Sequence, residues 1–307
     1  MSAPSSLRLP DGPIAGMVMG FSAYSLFSVH DTLVKLTVAE IPVVQVLIIR
    51  SLVIATFTLG VGRMALLTDL AASNRKWPLF WRASTTLAAW CLYYVNGTQL
   101  KLAEMTTLYY VAPVITLVLA IIFLRERLTL PRALAALLGF AGVVVACNPA
   151  GISFGLPALM VLVAAALWSV AMILMRSISK SETSLLLIFS LNAFYVVVLA
   201  PVVLLDPRPM NLFQVVAVLG TGLTGGVAQY ILVEAARRVP ASVLGTVEYS
   251  ALLWSFILGA VVFGEMPTFI VFVGAGMIVL AGLMLAWSER GRRGPTRPQV
   301  REAARTS

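Results

Sequence analysis

The chain has 307 residues, 60% of them hydrophobic and only 11% charged, with a mean hydropathy of +0.95. A soluble globular chain carries about 25% charged residues, so a water-soluble domain is excluded. The formal charge of +9 reflects scarce acids in a lipid-like chain and does not describe a nucleic-acid-binding surface. Cys91 and Cys147 both lie in apolar runs, which leaves no disulfide framework and no cysteine-based metal site and reads as two buried, inert thiols.

A bilayer core of about 30 Å needs about 20 apolar helical residues per crossing. The sequence divides into ten such segments in chain order: 13–36, 42–66, 77–99, 104–124, 130–148, 153–177, 183–205, 211–236, 242–263 and 267–288. Residues 1–12 are a short polar lead, and no small-residue cleavage site follows the first apolar run, so that run reads as a retained span. With ten spans, 18 of the 22 Lys and Arg residues fall on the side shared by both termini, among them Arg82. Positive charge accumulates on the cytoplasmic side, so both termini are expected there. The Arg-rich stretch 289–307 has no apolar face and reads as a disordered cytoplasmic tail.

The chain also resembles itself. An offset of 139 places Glu126 on Glu265 and brings Thr107, Tyr110, Ala112, Leu119 and Thr129 onto Thr246, Tyr249, Ala251, Leu258 and Thr268. An offset of 141 puts Phe27-Ser28-Val29 on Trp168-Ser169-Val170 and Lys35 on Arg176. Ten spans then read as five plus five, a first repeat over 13–149 and a second over 150–288. An odd number of spans sends the second repeat in from the opposite face, the inverted-repeat plan of many secondary transporters, whose substrate site lies near the midplane between halves.

The residues that carry a family resemblance are Asp31, Lys35, Arg50, Arg82 and Pro113, then the run Phe123-Leu124-Arg125-Glu126-Arg127-Leu128-Thr129, Gly139, Gly142 and Pro149, and in the second half Gly264-Glu265. Over about residues 13–288 the chain resembles the drug/metabolite transporter superfamily, in its ten-span branch of EamA-like transporters. In the first half Arg125 stands where that family more commonly has Gly. The resemblance implies a carrier of amino acids, riboflavin, S-adenosylmethionine or other small metabolites.

Charges inside spans cost several kcal/mol unless paired or facing water, which singles out Asp31, Arg50 and Glu248. Asp31 and Arg50 sit at comparable depth on the first two spans and are expected to pair, as an outer gate, a carboxylate handle or a structural clamp. Glu248 has no obvious basic neighbour on its own span; it is expected to be protonated or to face an aqueous cavity, as a group that couples protons to transport, or else to take a structural partner from Arg237, Arg238 or another helix. His30, the one histidine, adjoins Asp31 and is the remaining candidate for proton traffic. Tyr94, Tyr109, Trp168, Gln229, Tyr249 and Trp254 are the candidate substrate-binding residues, the deeper aromatics for stacking on a planar or cationic group, whereas other aromatics belong to interfacial belts. Glu126 and Glu265 read as helix-end residues. The glycines of Gly220–Gly226 read as a hinge in the eighth span.

The expected function is a secondary transporter moving a small polar metabolite, an amino acid or a partly aromatic charged compound, by alternating access and as an exporter, from a bacterial inner or plasma membrane. An importer of riboflavin or S-adenosylmethionine, facilitative or proton-linked, is the alternative. No nucleotide-binding P-loop occurs, and no metal or cofactor is implied. An intramembrane enzyme has little to recommend it without an H-E-x-x-H or G-x-S-x-G element, and a channel is distinguished by kinetics. The expected partners are the substrate, the lipid bilayer and protons, and small lipid-facing residues suit contacts between halves and between subunits alike.

Overall fold

The structure, a computed structural model, describes residues 12–38, 40–95, 102–147, 155–264 and 268–290. These form thirteen helices: α1 (Pro13–Thr37), α2 (Val43–Gly62), α3 (Ala65–Ala72), α4 (Lys76–Val95), α5 (Leu102–Tyr109), α6 (Ala112–Leu124), α7 (Leu130–Cys147), α8 (Leu156–Ile178), α9 (Ser184–Leu205), α10 (Leu212–Arg238), α11 (Ala241–Glu248), α12 (Ser250–Phe263) and α13 (Phe269–Arg290). No strand occurs among the described residues. Helix is the expected outcome for a chain in lipid, where each backbone polar group must be satisfied within its own segment.

Among the described residues, eight segments are long and apolar enough to cross a membrane: α2, α5 with α6 (Met105–Leu124), α7, α8, α9, α10, α11 with α12 (Ala241–Phe263), and α13. They coincide with eight of the ten expected segments. The other two expected segments are occupied by α1 and α4, of 25 and 20 residues, which are less apolar because they carry His30, Asp31 and Lys35, and Lys76 and Arg82. Two segments are interrupted. Helix geometry lapses at Tyr110–Val111, just before Pro113, and again at Tyr249, the position that the 139-residue offset pairs with Tyr110.

The termini of several helices follow from local sequence. Asn211 and Gln214 form a capping box at the start of α10, and Thr183 accepts from the Leu186 N–H at the start of α9. Gly264 ends α12 in the left-handed region (φ 68°), where a residue without Cβ meets no steric penalty. Arg125 ends α6 in the same conformation (φ 53°) with the penalty present.

The main packing pairs are α1 with α10, α7 with α13, α4 with α8 and α2 with α9, followed by α6 with α8, α2 with α10 and α6 with α11, so helices before residue 148 pack chiefly on helices after 154. Close approach is achieved by small residues: a Cβ on Gly142 would lie 2.8 Å from the Gly274 carbonyl oxygen, and one on Gly139 2.4 Å from the Tyr249 ring. The glycines at 220, 222, 225 and 226 serve the same end. Helix α10 runs unbroken through them, and they receive Leu33, Val53, His30 and Ile54 from α1 and α2. The expected hinge is therefore a packing face. Outward, α2, α9, α12 and α13 expose Phe57, Val197, Val261 and Phe272, an apolar exterior suited to lipid. Cys91 belongs to that exterior too, since it is exposed on α4, contrary to the expected burial.

At the end of the bundle where α13 terminates, Arg132 of α7 grips Glu289 with Nε at 2.8 Å and Nη2 at 3.1 Å, both side chains buried. Helix α13 thus extends through Glu289 and Arg290, residues assigned to the tail on sequence grounds.

Candidate functional site

A narrow internal cavity of about 40 Å³ opens between two groups of helices. One wall comes from α1, α2 and α4 through Phe27, Arg50, Arg82, Thr86 and Trp90; the other comes from α8, α9 and α10 through Trp168, Met172, Tyr195, Gln229 and others. A space this small holds a few waters and no metabolite. It lies at the junction of the two packing groups.

Arg50 is 3% exposed and lies on α2 facing α1. It does not meet Asp31 directly, as the sequence suggested, because His30 stands between them. Arg50 Nη1 is 3.0 Å from His30 Nε2, and His30 Nδ1 is 2.9 Å from Asp31 Oδ1. A guanidinium only donates, so Nε2 accepts and Nδ1 carries the hydrogen that goes to Asp31. The network fixes a neutral imidazole of one tautomer, with both nitrogens occupied and the ring fully buried. Asp31, by contrast, is 57% exposed, so the buried cation is linked through the ring to an acid at the protein surface. The Trp90 ring supports Arg50 from one side, 5.5 Å from the guanidinium carbon, and meets His30 edge-on.

Arg82, counted in the sequence reading among the cations on the side shared by both termini, is 6% exposed and lies on the cavity wall. Its Nη1 donates to the Leu187 carbonyl oxygen at 2.9 Å, and no carboxylate among the described residues pairs with it. The signal that singled out Arg50, a cation inside an apolar helix, also applied to Arg82; its nearness to the start of α4 hid it. Tyr195, another residue that sequence reasoning passed over, has its buried hydroxyl near both guanidiniums and beside Thr86, without closing a hydrogen bond of good geometry.

Glu248 ends α11 at the second helix interruption and is 5% exposed. Arg237 and Arg238 do not reach it. They pair with Glu234 at 3.5 and 2.7 Å. The surroundings of Glu248 are aromatic: Tyr24 Oη donates across a long 3.5 Å contact, and the Trp168 indole nitrogen is turned toward the same carboxyl without closing a hydrogen bond of good geometry. Trp168 therefore separates the two charged features, with one face on the arginine cavity and its N–H toward Glu248.

Of the six candidate binding residues, the cavity brings together Trp168 and Gln229. Tyr109 packs on Tyr93 with ring centroids 4.9 Å apart. Tyr249 stacks on Tyr110 at 6.0 Å, and Trp254 meets Phe21 at 6.4 Å. The side chain of Tyr94 and the whole of Glu265 lie outside the described residues. Glu126 reaches across the packing groups to the start of α11, where its carboxylate accepts from the Ala241 N–H at 2.8 Å, the Ser242 N–H at 3.3 Å and the Ser242 hydroxyl at 2.6 Å. Two free N–H groups and the positive end of a helix dipole account for that placement. Among the described residues no cluster of His, Cys, Asp and Glu is arranged to hold a metal ion.

The chain is similar to known transporters along most of its length. Residues 14–147 and 155–287 each match the EamA-like transporter family. An S-adenosylmethionine uptake transporter of Rickettsia bellii is 26% identical over 62% of this chain and 67% of its own length. The chain thus spans about two thirds of that relative. The pseudopaline exporter CntI of Pseudomonas aeruginosa is 23% identical over 90% of this chain and 98% of its own, and the protein RarD of Streptomyces exfoliatus is 23% identical over 95% and 94%. A crystal structure of another protein shares the fold, with a TM-score of 0.76 at 20% identity over 91% of this chain and 99% of that one.

Proposed function

Given that this chain belongs to the EamA-like transporter family and is a multi-pass membrane transporter, we propose that it is a secondary carrier that moves a small polar metabolite, an amino acid or a partly aromatic charged compound, by alternating access between two five-span halves. The observation that carries this reading is the position of the cavity. One wall comes from helices before residue 96 and the other from helices after 155, so any motion that parts them opens it. Helices α1 and α4 complete a ten-span bundle with both termini in the cytoplasm of a bacterial inner membrane.

The pairing of helices supports an inverted repeat over 13–149 and 150–288. Exchanging the halves turns the first span's contact with the eighth (α1 with α10) into the sixth's contact with the third (α8 with α4), and both are among the main packing pairs. The second–seventh, fourth–ninth and fifth–tenth contacts map onto themselves. The separate family matches to the two stretches agree.

Glu248 is the proposed coupling group. It is a carboxyl with aromatic neighbours, placed at a helix interruption and one indole away from the cavity. Its burial changes if the halves part, and a proton on it is then linked to the conformation. Export is the proposed direction. Two of the relatives are named for opposite directions, an uptake transporter and an exporter.

The test is flux in right-side-out and inverted membrane vesicles with labelled amino acids, riboflavin and S-adenosylmethionine, with and without a pH gradient. The expected result is gradient-driven flux of one of them, and counterflow of labelled against unlabelled substrate. Glu248→Gln is expected to keep counterflow and to lose the response to the gradient. Flux without counterflow describes a channel and overturns the carrier reading; an unchanged gradient response in Glu248→Gln overturns the coupling role alone.

A further inference from the structure

We infer that the cavity is a receptor for the carboxylate end of an organic anion or zwitterion, held between Arg50 and Arg82. This rests on the carrier reading and narrows its substrate class. The first ground is charge. Two guanidiniums, 3% and 6% exposed, line one cavity, and no carboxylate among the described residues lines it with them. Two like charges in an apolar wall are costly to each other and to the fold, and a carboxylate between them relieves both costs with charge-assisted hydrogen bonds.

The second ground is the direction of the remaining hydrogen-bonding groups. The Asn192 amide nitrogen donates to the Ile188 carbonyl oxygen and to Gln229 Oε1, both at 2.8 Å. This fixes the Gln229 oxygen as an acceptor already in use and leaves its NH2 as the free end. Tyr195 has a buried hydroxyl on the same wall, beside Thr86 without closing a hydrogen bond of good geometry. With the arginines, these make a wall rich in donors, which recognises a ligand rich in acceptors. Leaving such donors buried and unsatisfied is unfavourable.

The third ground is the rest of the lining. Phe27, Trp90, Met172, Met175, Leu191 and Leu232 are apolar, which suits an organic body carrying a carboxylate and does not suit a hydrated inorganic anion. The cavity has only about 40 Å³ in this conformation, so loading requires the walls to part, and a bound carboxylate then draws two cationic helices, α2 and α4, toward it.

The experiment is a ligand-dependent melting shift on the purified full-length protein in detergent at constant ionic strength. The probes are phenylalanine, 3-phenylpropionate and succinate, each beside its matched amide, together with inorganic phosphate. At least one carboxylate is expected to raise Tm by about 2–4 °C at several times its dissociation constant, while its amide and phosphate do not. Arg82→Gln is expected to abolish the shift. Tyr195→Phe keeps the ring and removes a hydroxyl that closes no hydrogen bond of good geometry, so it is expected to fold normally and to reduce the shift, which keeps the test decisive if Arg82→Gln does not fold. A shift with amides or phosphate equal to that with carboxylates, no shift with any carboxylate, or a full shift in both variants overturns the proposal. Counterflow in proteoliposomes is scored separately: a carboxylate-specific shift without counterflow leaves the receptor in place and overturns the carrier reading.

Discussion

The two interrupted helices reach the same geometry by different means. In the first, the lapse at Tyr110–Val111 lies just before Pro113, which lacks the N–H needed to continue the ladder and crowds the residue before it. In the second, the lapse at Tyr249 has no proline nearby. There every residue from Ala241 to Ser250 is buried, the Tyr249 ring stacks on Tyr110, and Gly139 of α7 makes room for it. A local cause shapes one break and tertiary packing shapes the other. Glu248 sits at the packed one, where a change in packing is felt directly by a carboxyl group.

That contrast can be broken most sharply from the packing side. A Cβ at Gly139 would lie 2.4 Å from Tyr249, on a ring held by its neighbours, so Gly139→Ala is expected to destabilise by about 1–3 kcal/mol, read as a lower Tm and as altered fluorescence of Trp168 next to Glu248. An unchanged Tm means that Tyr249 moves freely and that packing does not hold the second break. Glu126→Ala is the next in size. It removes the acceptor for two N–H groups at the start of α11 and is expected to cost about 1 kcal/mol, with Glu126→Gln milder because the amide oxygen still accepts. Equal losses in the two variants point to the charge rather than the hydrogen bonds.

The smallest effect compares the helix ends. Arg125 and Gly264 occupy the left-handed region at φ 53° and 68° at positions related by the 139-residue offset. Arg125→Gly is expected to stabilise by about 1 kcal/mol, and Gly264→Ala to destabilise by a similar amount, because a Cβ in that region is penalised. A loss of stability in Arg125→Gly means that the arginine side chain contributes more than its backbone conformation costs.

Much of the plan is legible in one chain. Eight of the expected spans recur as helices with sufficient length and apolarity, since twenty apolar residues in lipid have few alternatives to helix. Trp168, Gln229, Arg50 and His30 were legible as candidates because polar or bulky groups inside apolar runs require partners. The sequence reading paired Arg50 with Asp31 directly, because depth along two helices does not reveal the azimuth of each side chain; that azimuth inserts His30 between them. It treated the α10 glycines as flexible, since composition alone does not distinguish a loose helix from one packed closely at its small residues.

Length, hydropathy and the spacing of charges thus determined a chain of membrane helices, its resemblance to a transporter family and a short set of buried polar groups, all consequences of transferring a backbone and its side chains from water into hydrocarbon. Only the tertiary structure decided that Arg82 and Tyr195 join Arg50 around one cavity and that Glu248 faces aromatic groups and not the arginines. Those facts depend on how helices distant in sequence rotate against one another, and that rotation is set by small residues, ring contacts and crossing partners summed over the whole bundle.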